Sequence, residues 1–359
     1  LPTLAVAAAL KAKLPEVELL YVGSLRAEDR RLVEAAGLPF QAIHAGKLRR
    51  YLSLENIADV FNFWRGIKDA ASIIRQFRPQ VIFAKGGYVS LPVVLAAKRF
   101  GIPVIGHESD SFLGLANRWA LKSARKLAVA WPVENYLENK PDLSRYADKF
   151  VYTGLPMGDE LVNWQAKRLF PDPLPVILVT GGSQGAHSIN EAVWEILSSL
   201  LRNFNVAHQT GGKDIGEAKQ RRGNLPAELQ DHYLPFAFDR DVFLSALHQA
   251  ELVISRAGSF VFELAVLGKP AILVPLRGSA NEHQLKNAQM LADHSAAMML
   301  APEKFSGEEL LSAVHALFAD KNKLAEMSQK MKAFGEPSRG AAEKIAKLVI
   351  EAANEKENQ

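Results

Sequence analysis

The sequence predicts an α/β protein built from two doubly wound domains in tandem, and three observations predict it. Short apolar strands alternate with longer amphipathic helices. The alternation stops at a cluster of chain breakers, residues 154–156 and the Pro171-Asp-Pro-Leu-Pro175 stretch, and then restarts. The chain has 359 residues, 48% of them hydrophobic, too long for one ordinary domain and rich enough to fill two cores.

The elements follow in order. A helix-like stretch over 4–10 opens the chain. A domain that opens on a helix reads as N-terminally incomplete, and that is the expectation for the first domain. Strands are expected over 18–22, 80–84, 103–107 and 126–130, with helices over 56–77 and 91–100 between them. The breakers bracket an inter-domain connection, giving domains 1–157 and 158–359. A strand over 176–180 then leads through a glycine loop into a helix over 187–201. Further strands are expected over 252–255 and 271–274. Helices are expected over 242–250, 308–318, 321–334 and 341–353, the last packing back on the first domain. Ligands of such domains sit outside the carboxyl ends of the strands. Two domains facing each other would place a ligand in the cleft between them.

Composition removes several functions. The absence of cysteine excludes disulfides, thiolate metal sites and a cysteine nucleophile. The net charge of +4, with a pI near 9.0, is only mildly basic. No apolar run reaches the roughly 18–20 residues that span a bilayer. No signal-peptide pattern is recognisable, so a soluble or peripheral protein is expected.

Thr180-Gly-Gly-Ser-Gln-Gly-Ala186 runs from a strand into a helix. Glycines let the backbone approach a ligand, and a helix amino terminus offers free N–H groups to a diphosphate. The alternative is a tight turn with no ligand. The loop lacks the Gly-Lys-Ser/Thr of a phosphate-binding Walker loop and the glycine spacing of a dinucleotide fold, which argues against a nicotinamide dehydrogenase. Ser255-Arg-Ala-Gly-Ser-Phe-Val-Phe-Glu263 repeats the strand–glycine–helix pattern. Glu263 could take both hydroxyls of a ribose, or be a surface carboxylate favoured by the helix dipole. His283 and Gln284 stand at a helix start, where they could bond sugar hydroxyls or simply cap.

In the first domain, Lys85-Gly-Gly-Tyr-Val-Ser90 and Gly106-His-Glu-Ser-Asp110 both follow strands. His107 and Glu108 are candidate acid–base groups, or structural hydrogen bonders. Asp239-Arg-Asp241 has the spacing of a metal-binding pair but immediately precedes a helix, where Asp serves as an N-cap. No metal site is expected. Lys47-Leu-Arg-Arg-Tyr51 leads into a helix on which Val60, Trp64 and Ile67 share a face. Such a face suits an anionic membrane surface or the protein's own core.

Taken in order, Gly86-Gly-Tyr-Val-Ser90, His107-Glu108, Gly114-Leu-Ala-Asn117, Gly181-Gly-Ser-Gln-Gly-Ala186, Ser255-Arg-Ala-Gly258 and His283-Gln284 with Asn287-Ala288 resemble the MurG family of glycosyltransferases, family 28. The likeness spans nearly the whole chain. It implies a GT-B fold, two Rossmann-like domains across a cleft, and metal-independent, inverting transfer without a cofactor. The reaction it implies moves N-acetylglucosamine from its UDP donor to the C4 hydroxyl of the lipid-linked muramoyl pentapeptide, lipid I to lipid II, in peptidoglycan synthesis. By resemblance, Gly182, Ser183, Gln184 and Gly185 hold the donor diphosphate. Glu263 holds the ribose, Gln284 contacts the sugar, Gly258, Ser259 and His283 belong to the same donor site, and Phe238 lies near the uracil. Gly86, Gly87, Tyr88 and Asp110 fall on the acceptor side, with His107 or Glu108 to take the acceptor proton. Arg49, Arg50, Phe61 and Trp64 match the membrane-facing patch. The implied partners are UDP-N-acetylglucosamine, lipid I and the anionic inner-membrane surface, with no nucleic acid. The implied location is peripheral, on the cytoplasmic face of a bacterial plasma membrane.

The chain departs from the family pattern at several places. The family's opening strand and its Gly-Gly-Thr-Gly-Gly-His loop have no counterpart here. Gly158 and His187 stand where Arg is usual, and Asp110 where Asn is. The Gly258-to-Glu263 spacing is one residue short. Two alternatives stay open: a transferase with another lipid acceptor, and a nucleotide-sugar-binding homologue without catalysis.

Overall fold

A computed structural model describes residues 2–46, 55–138, 140–182, 184–276, 278, 282–303 and 305–357. They form two compact units, Leu1–Gly158 with Pro337–Gln359, and Asp159–Glu336. The unit boundary falls one residue after the expected one, and residues 337–359 go with the first unit.

The first unit carries two parallel sheets. β1 (Tyr21–Gly23) and β2 (Phe40–Ala42) make one. β3 (Ile82–Ala84), β4 (Val104–Glu108), β5 (Lys126–Val129) and β6 (Phe150–Tyr152) make the other, in that order. Helices Pro2–Lys13 and Ala341–Glu357 pack together over it, burying Val6, Leu10, Ile105, Ala128 and Ile345 in one cluster. Helices Glu55–Phe77 and Ser90–Arg99 form a second cluster through Ala70, Ile74, Val94 and Val104.

The second unit has a single six-stranded parallel sheet. Its strands are β7 (Val176–Thr180), β8 (Asn205–Gln209), β9 (Tyr233–Phe236), β10 (Ala250–Ser255), β11 (Ala271–Leu273) and β12 (Met298–Met299), in the order β12-β11-β10-β7-β8-β9. All five residues of β7 are buried, as a parallel strand covered on both faces requires. The order reverses at β7, which sits between β8 and β10. The loops leaving β7 and β10 therefore open at the switch point where such sheets bind ligands.

The expected strands over 18–22 and 80–84 begin two to three residues late, at Tyr21 and Ile82. The expected helix over 187–201 is two helices, His187–Glu195 and Leu197–Leu200, because Ile196 leaves helical backbone at φ −109°, ψ 5°. Strands β2, β6, β8, β9 and β12 were not expected. β8 shows why: Asn205, His208 and Gln209 are buried polar residues that break its apolar run.

Candidate functional site

The glycine loop after β7 is held from below by side chains of the second unit. Thr180 Oγ1 donates to Gln209 Oε1 at 2.6 Å and accepts from Gly182 N–H at 3.2 Å. Gly185 N–H closes the turn onto the Gly182 carbonyl at 2.8 Å. Gly185 has φ +78°, and a Cβ there would stand 2.0 Å from the Thr210 carbonyl oxygen. The loop thus lies backbone against backbone on the turn after β8, and only glycine permits that approach. Gly182 and Gln184 are exposed. Ser183 lies outside the described residues.

The helix His187–Glu195 starts at this loop with no side-chain cap at Ala186. Its leading N–H groups and the positive end of its dipole face an exposed loop, the arrangement that takes an anion. Arg256 stands beside it: Nη2 donates to Ser188 Oγ at 2.7 Å, and Nη1 donates to the Val274 and Pro275 carbonyls at 3.0 and 3.3 Å. One guanidinium therefore ties together the starts and ends of three loops. The hydrogen bond that His187 Nδ1 makes to the Asp214 carboxylate, at 3.0 Å, raises the imidazole above its ordinary value.

Behind the loop runs a buried polar chain. Asn190 donates to the Thr210 carbonyl at 3.0 Å and to Asp214 at 2.7 Å. Its Oδ1 meets His208 Nε2 at 3.0 Å, and His208 Nδ1 meets the Tyr233 hydroxyl at 3.0 Å. Trp194 Nε1 donates to that same hydroxyl at 3.1 Å. His208 is 0% exposed, and burial lowers it to about 3, so the ring is neutral.

The loop after β10 leads into the short helix Val261–Leu267, with Glu263 in its first turn. Burial pushes the Glu263 carboxyl up, against the pull of Arg240. Asn287, buried on the helix His283–Asp293, donates to the Ala257 carbonyl at 3.0 Å and fixes the loop. Gln284 Oε1 accepts from Leu276 N–H at 3.0 Å. His283 opens the same helix, so the pair stands at a helix start as expected. Phe238 is 56% exposed and continues through Phe243 to Phe260, with ring centroids 6.1 and 5.6 Å apart. That aromatic row brings Phe238 toward Gly258 and Ser259. The expected residues of the second unit that are described thus stand after the ends of β7, β9, β10 and β11.

Thr210-Gly211, Asn190, Ser188 and Arg256 were missed as parts of this site. A signal existed for the first: Thr210-Gly-Gly212 after β8 repeats Thr180-Gly-Gly182 after β7.

In the first unit, the Glu108 carboxylate is the centre of a loop clamp. Oε1 accepts from Ser109 and Asp110 N–H at 2.9 and 3.1 Å. Oε2 accepts from Gly114 N–H and Asn117 Nδ2, both at 2.9 Å. Burial raises the carboxyl above its ordinary value in spite of these bonds. Asn117 also donates to the His107 carbonyl at 2.9 Å, and it is the neighbour that makes Gly86, at φ +94°, a position for glycine. Gly87 accepts from Ser90 Oγ at 2.9 Å. Tyr88 follows in the same turn, and the Asp110 carbonyl accepts from the Tyr136 hydroxyl at 2.6 Å. Of the residues expected on the acceptor side, Gly86 and Asp110 meet this clamp, and Gly87 and Tyr88 follow Gly86 in the chain.

The expectation that His107 or Glu108 takes a proton from a substrate does not fit this geometry. A general base must reach the proton it removes. His107 is 0% exposed, with Nε2 3.4 Å from the Gly154 carbonyl, and burial lowers it to about 3. Both oxygens of Glu108 are engaged by four donors. These two residues hold the loop.

Asp239 accepts from Val242 N–H at 3.0 Å and caps the helix Arg240–Gln249. Among the described residues, no group of three or more His, Asp or Glu side chains is placed to hold a metal ion, and no helix is long and apolar enough to cross a membrane. On Glu55–Phe77, Phe61 and Trp64 are 63% and 61% exposed, and Val60 is exposed beside them. They are not core residues. Arg65 lies 5.7 Å over the Phe61 ring. Arg49 and Arg50 lie outside the described residues.

Residues 1–129 match the glycosyltransferase family 28 N-terminal domain, and residues 176–347 match the family 28 C-terminal domain. A Lachnospira eligens protein is 38% identical over 312 residues, 85% of this chain and 84% of its own. One from Desulforudis audaxviator is 37% identical over 354 residues, 94% of this chain and 91% of its own. Both are named UDP-N-acetylglucosamine–N-acetylmuramyl-(pentapeptide) pyrophosphoryl-undecaprenol N-acetylglucosamine transferase. Among solved structures, Acinetobacter baumannii MurG superposes with a TM-score of 0.72 at 24% identity, covering 98% of this chain and 95% of its own. A UDP-N-acetylglucosamine 2-epimerase from Listeria monocytogenes gives 0.68 at 17% identity, covering 99% and 94%. At these identities the structural likenesses speak for the GT-B fold alone.

Proposed function

This chain belongs to glycosyltransferase family 28, in its MurG branch, and we propose that it carries out the reaction its curated relatives are named for. It transfers N-acetylglucosamine from UDP-N-acetylglucosamine to lipid I, making lipid II for peptidoglycan. The observation that carries this reading is the glycine loop at an uncapped helix start, with Arg256 beside it.

The donor diphosphate lies on the loop 181–186. The amides of that loop, the helix dipole and Arg256 offset the charge that develops on UDP as it leaves. That is the work a metal ion does in other transferases, so transfer proceeds without one. The acceptor hydroxyl attacks the anomeric carbon from the face opposite the leaving group, and configuration inverts. Glu263 takes the ribose hydroxyls, Phe238 stacks on the uracil, and His283 and Gln284 meet the sugar. In the first unit the Glu108 clamp shapes the acceptor side through Gly86, Gly87, Tyr88 and Asp110. The exposed Val60, Phe61 and Trp64 face, with Arg65, rests on an anionic membrane surface at the cytoplasmic side.

The test is transfer of labelled N-acetylglucosamine to a short-chain lipid I analogue, with and without a metal chelator. Equal product in both arms, carrying a β-linkage by NMR, supports the reading. Chelator-sensitive product overturns the metal-independent mechanism. Donor binding with no product overturns the transferase reading and leaves a binding protein.

A further inference from the structure

The start of the helix His187–Glu195 holds a charge conflict. Its leading N–H groups face the loop 181–186 and favour an anion. Yet three carboxylates stand around the same helix start. Asp214 lies in the turn after β8, Glu191 one turn along the helix, and Glu217 on the helix Ile215–Gly223. Negative charges within several ångströms of a bound diphosphate would oppose it.

Asp214 belongs to the support of the loop. It accepts from Asn190 Nδ2 at 2.7 Å, and Asn190 also donates to the Thr210 carbonyl at 3.0 Å. Gly185 rests against that carbonyl. The Asp214 charge is therefore balanced in place, and His187 does the balancing. Nδ1 stands 3.0 Å from Asp214 Oδ2, and Nε2 stands 3.3 Å from Glu191 Oε1. An imidazole can offer a proton to both carboxylates only when both nitrogens carry one, as the imidazolium. The neutral ring would turn a lone pair on one of them. Glu217 is matched separately, by Arg221 Nη2 at 2.7 Å, and that guanidinium lies 4.7 Å over the Trp194 ring. Trp194 in turn meets the His187 ring edge-on, with centroids 6.5 Å apart. Around them stand Lys213, exposed beside Asp214, Arg256 on Ser188, and the neutral His208 behind Asp214. The Asp214 hydrogen bond, and then the charges of Asp214, Glu191 and Glu217, hold the ring above its ordinary value against desolvation.

We propose that His187 is a positioning residue for donor binding, its imidazolium bridging Asp214 and Glu191 so that their charge is withheld from a diphosphate on the loop 181–186. UDP-N-acetylglucosamine therefore binds more tightly to the protonated ring than to the neutral one, and donor affinity falls as the pH rises through the ring's titration. By linkage, bound donor raises the proton affinity of the ring in return. His187 has this role only if the donor diphosphate lies on that loop, as proposed above. One charge acting over several ångströms of partly screened solvent sets the effect at about 10-fold.

Calorimetric titration with UDP-N-acetylglucosamine between about pH 6 and 8.5 tests it. The diphosphate of this ligand is esterified at both ends and does not titrate there, so the proton belongs to the protein. The parent's Kd should rise about 10-fold across the range. His187→Arg, cationic throughout, should stay at the tight end, and His187→Gln, uncharged throughout, at the weak end. Glu191→Gln removes one of the two acids and should shrink the rise to about 3-fold. In the unsubstituted protein, the proton affinity of the His187 ring, followed by NMR, should rise on saturation with donor by the same factor of about 10. A flat Kd in the parent with donor still bound would overturn this role and leave the donor site standing. A rise that persists in His187→Gln would overturn it too, by placing the proton elsewhere. No donor binding at any pH, in the parent and His187→Arg alike, would overturn the donor-site reading and this role with it.

Discussion

Each unit buries one histidine completely on a strand inside its sheet, His107 on β4 and His208 on β8, and each ring is lowered to about 3 by burial. The two are provided for differently. His208 has partners on both nitrogens, and its chain of bonds reaches Asn190, the Thr210 turn and so the glycine loop. His107 has a long contact from Nε2 and no partner on Nδ1. A fully satisfied buried network fixes one geometry, while a partly satisfied one leaves the groups around it freer to settle. The second unit thus has a rigid base under its glycine loop. In the first unit the rigidity comes from Glu108, whose four bonds pin the loop 109–114.

The most damaging way to break this comparison is at Gly185. Valine there must adopt a positive φ and place its Cβ against the Thr210 carbonyl. The expected cost is about 3 kcal/mol of stability. UDP-N-acetylglucosamine affinity falls at least about 100-fold because the loop cannot stay on the turn that supports it. Calorimetric titration and urea unfolding measure both. Gly158→Ala, with nothing within 4 Å of the new Cβ, is the silent control.

Next in size is the pair of histidines. His208→Leu leaves the Tyr233 hydroxyl only its bond from Trp194 and strands the Asn190 amide oxygen, and is expected to cost about 2–3 kcal/mol. His107→Leu strands little and costs about 1 kcal/mol or less. Their pH signature carries a definite sign. Both folded values lie below the unfolded value of about 6.5, so protonation favours the unfolded chain. Stability is fully present above pH 6.5 and is lost as the pH falls from there toward 3. The slope approaches about 1.4 kcal/mol per pH unit for each histidine. Urea unfolding between pH 7 and 4.5 should show that slope drop by one proton in either variant. An unchanged slope in His208→Leu would mean that its ring is already charged in the folded protein.

A smaller effect is expected at Glu263. Glu263→Gln removes the charge and half the acceptor capacity, and the Kd for UDP should rise about 10-fold. For a 2′,3′-dideoxy UDP analogue the same variant should change little. If both ligands weaken equally, Glu263 acts on the loop rather than on the ribose.

Legibility in the sequence followed the same division. The loop 180–186 could be placed because a fully apolar strand, Val176–Thr180, delivers it to a helix start, and each step has a local signal. Its support could not, since the bonds from Asn190 and Arg256 join residues 18 to 68 positions apart. β8 was lost because the network that steadies the loop puts polar residues on that strand. His107 and Glu108 looked like acid–base chemistry because residue type shows at the sequence level, whereas burial and saturation do not. The two-sheet arrangement of the first unit was equally invisible, since β1, β2 and β3 have three residues each and carry no period of their own.

The smallest effect on the folded chain, and the last contrast between the units, lies at the aromatic face of Glu55–Phe77. Phe61 and Trp64 are mostly exposed, so Phe61→Ala with Trp64→Ala should change stability by no more than about 0.5 kcal/mol. Each exposed ring that enters a headgroup layer is instead worth about 1–2 kcal/mol of burial there. The double variant should therefore bind vesicles of one-third phosphatidylglycerol at least about 10-fold more weakly, while its UDP affinity, proposed above to reside in the second unit, stays unchanged. Raising salt from 0.05 to 0.5 M should also weaken vesicle binding by the parent, through Arg65. If the double variant keeps full vesicle binding, the face serves some other contact. If it loses stability instead, the rings are packed in solution in a way their exposure contradicts.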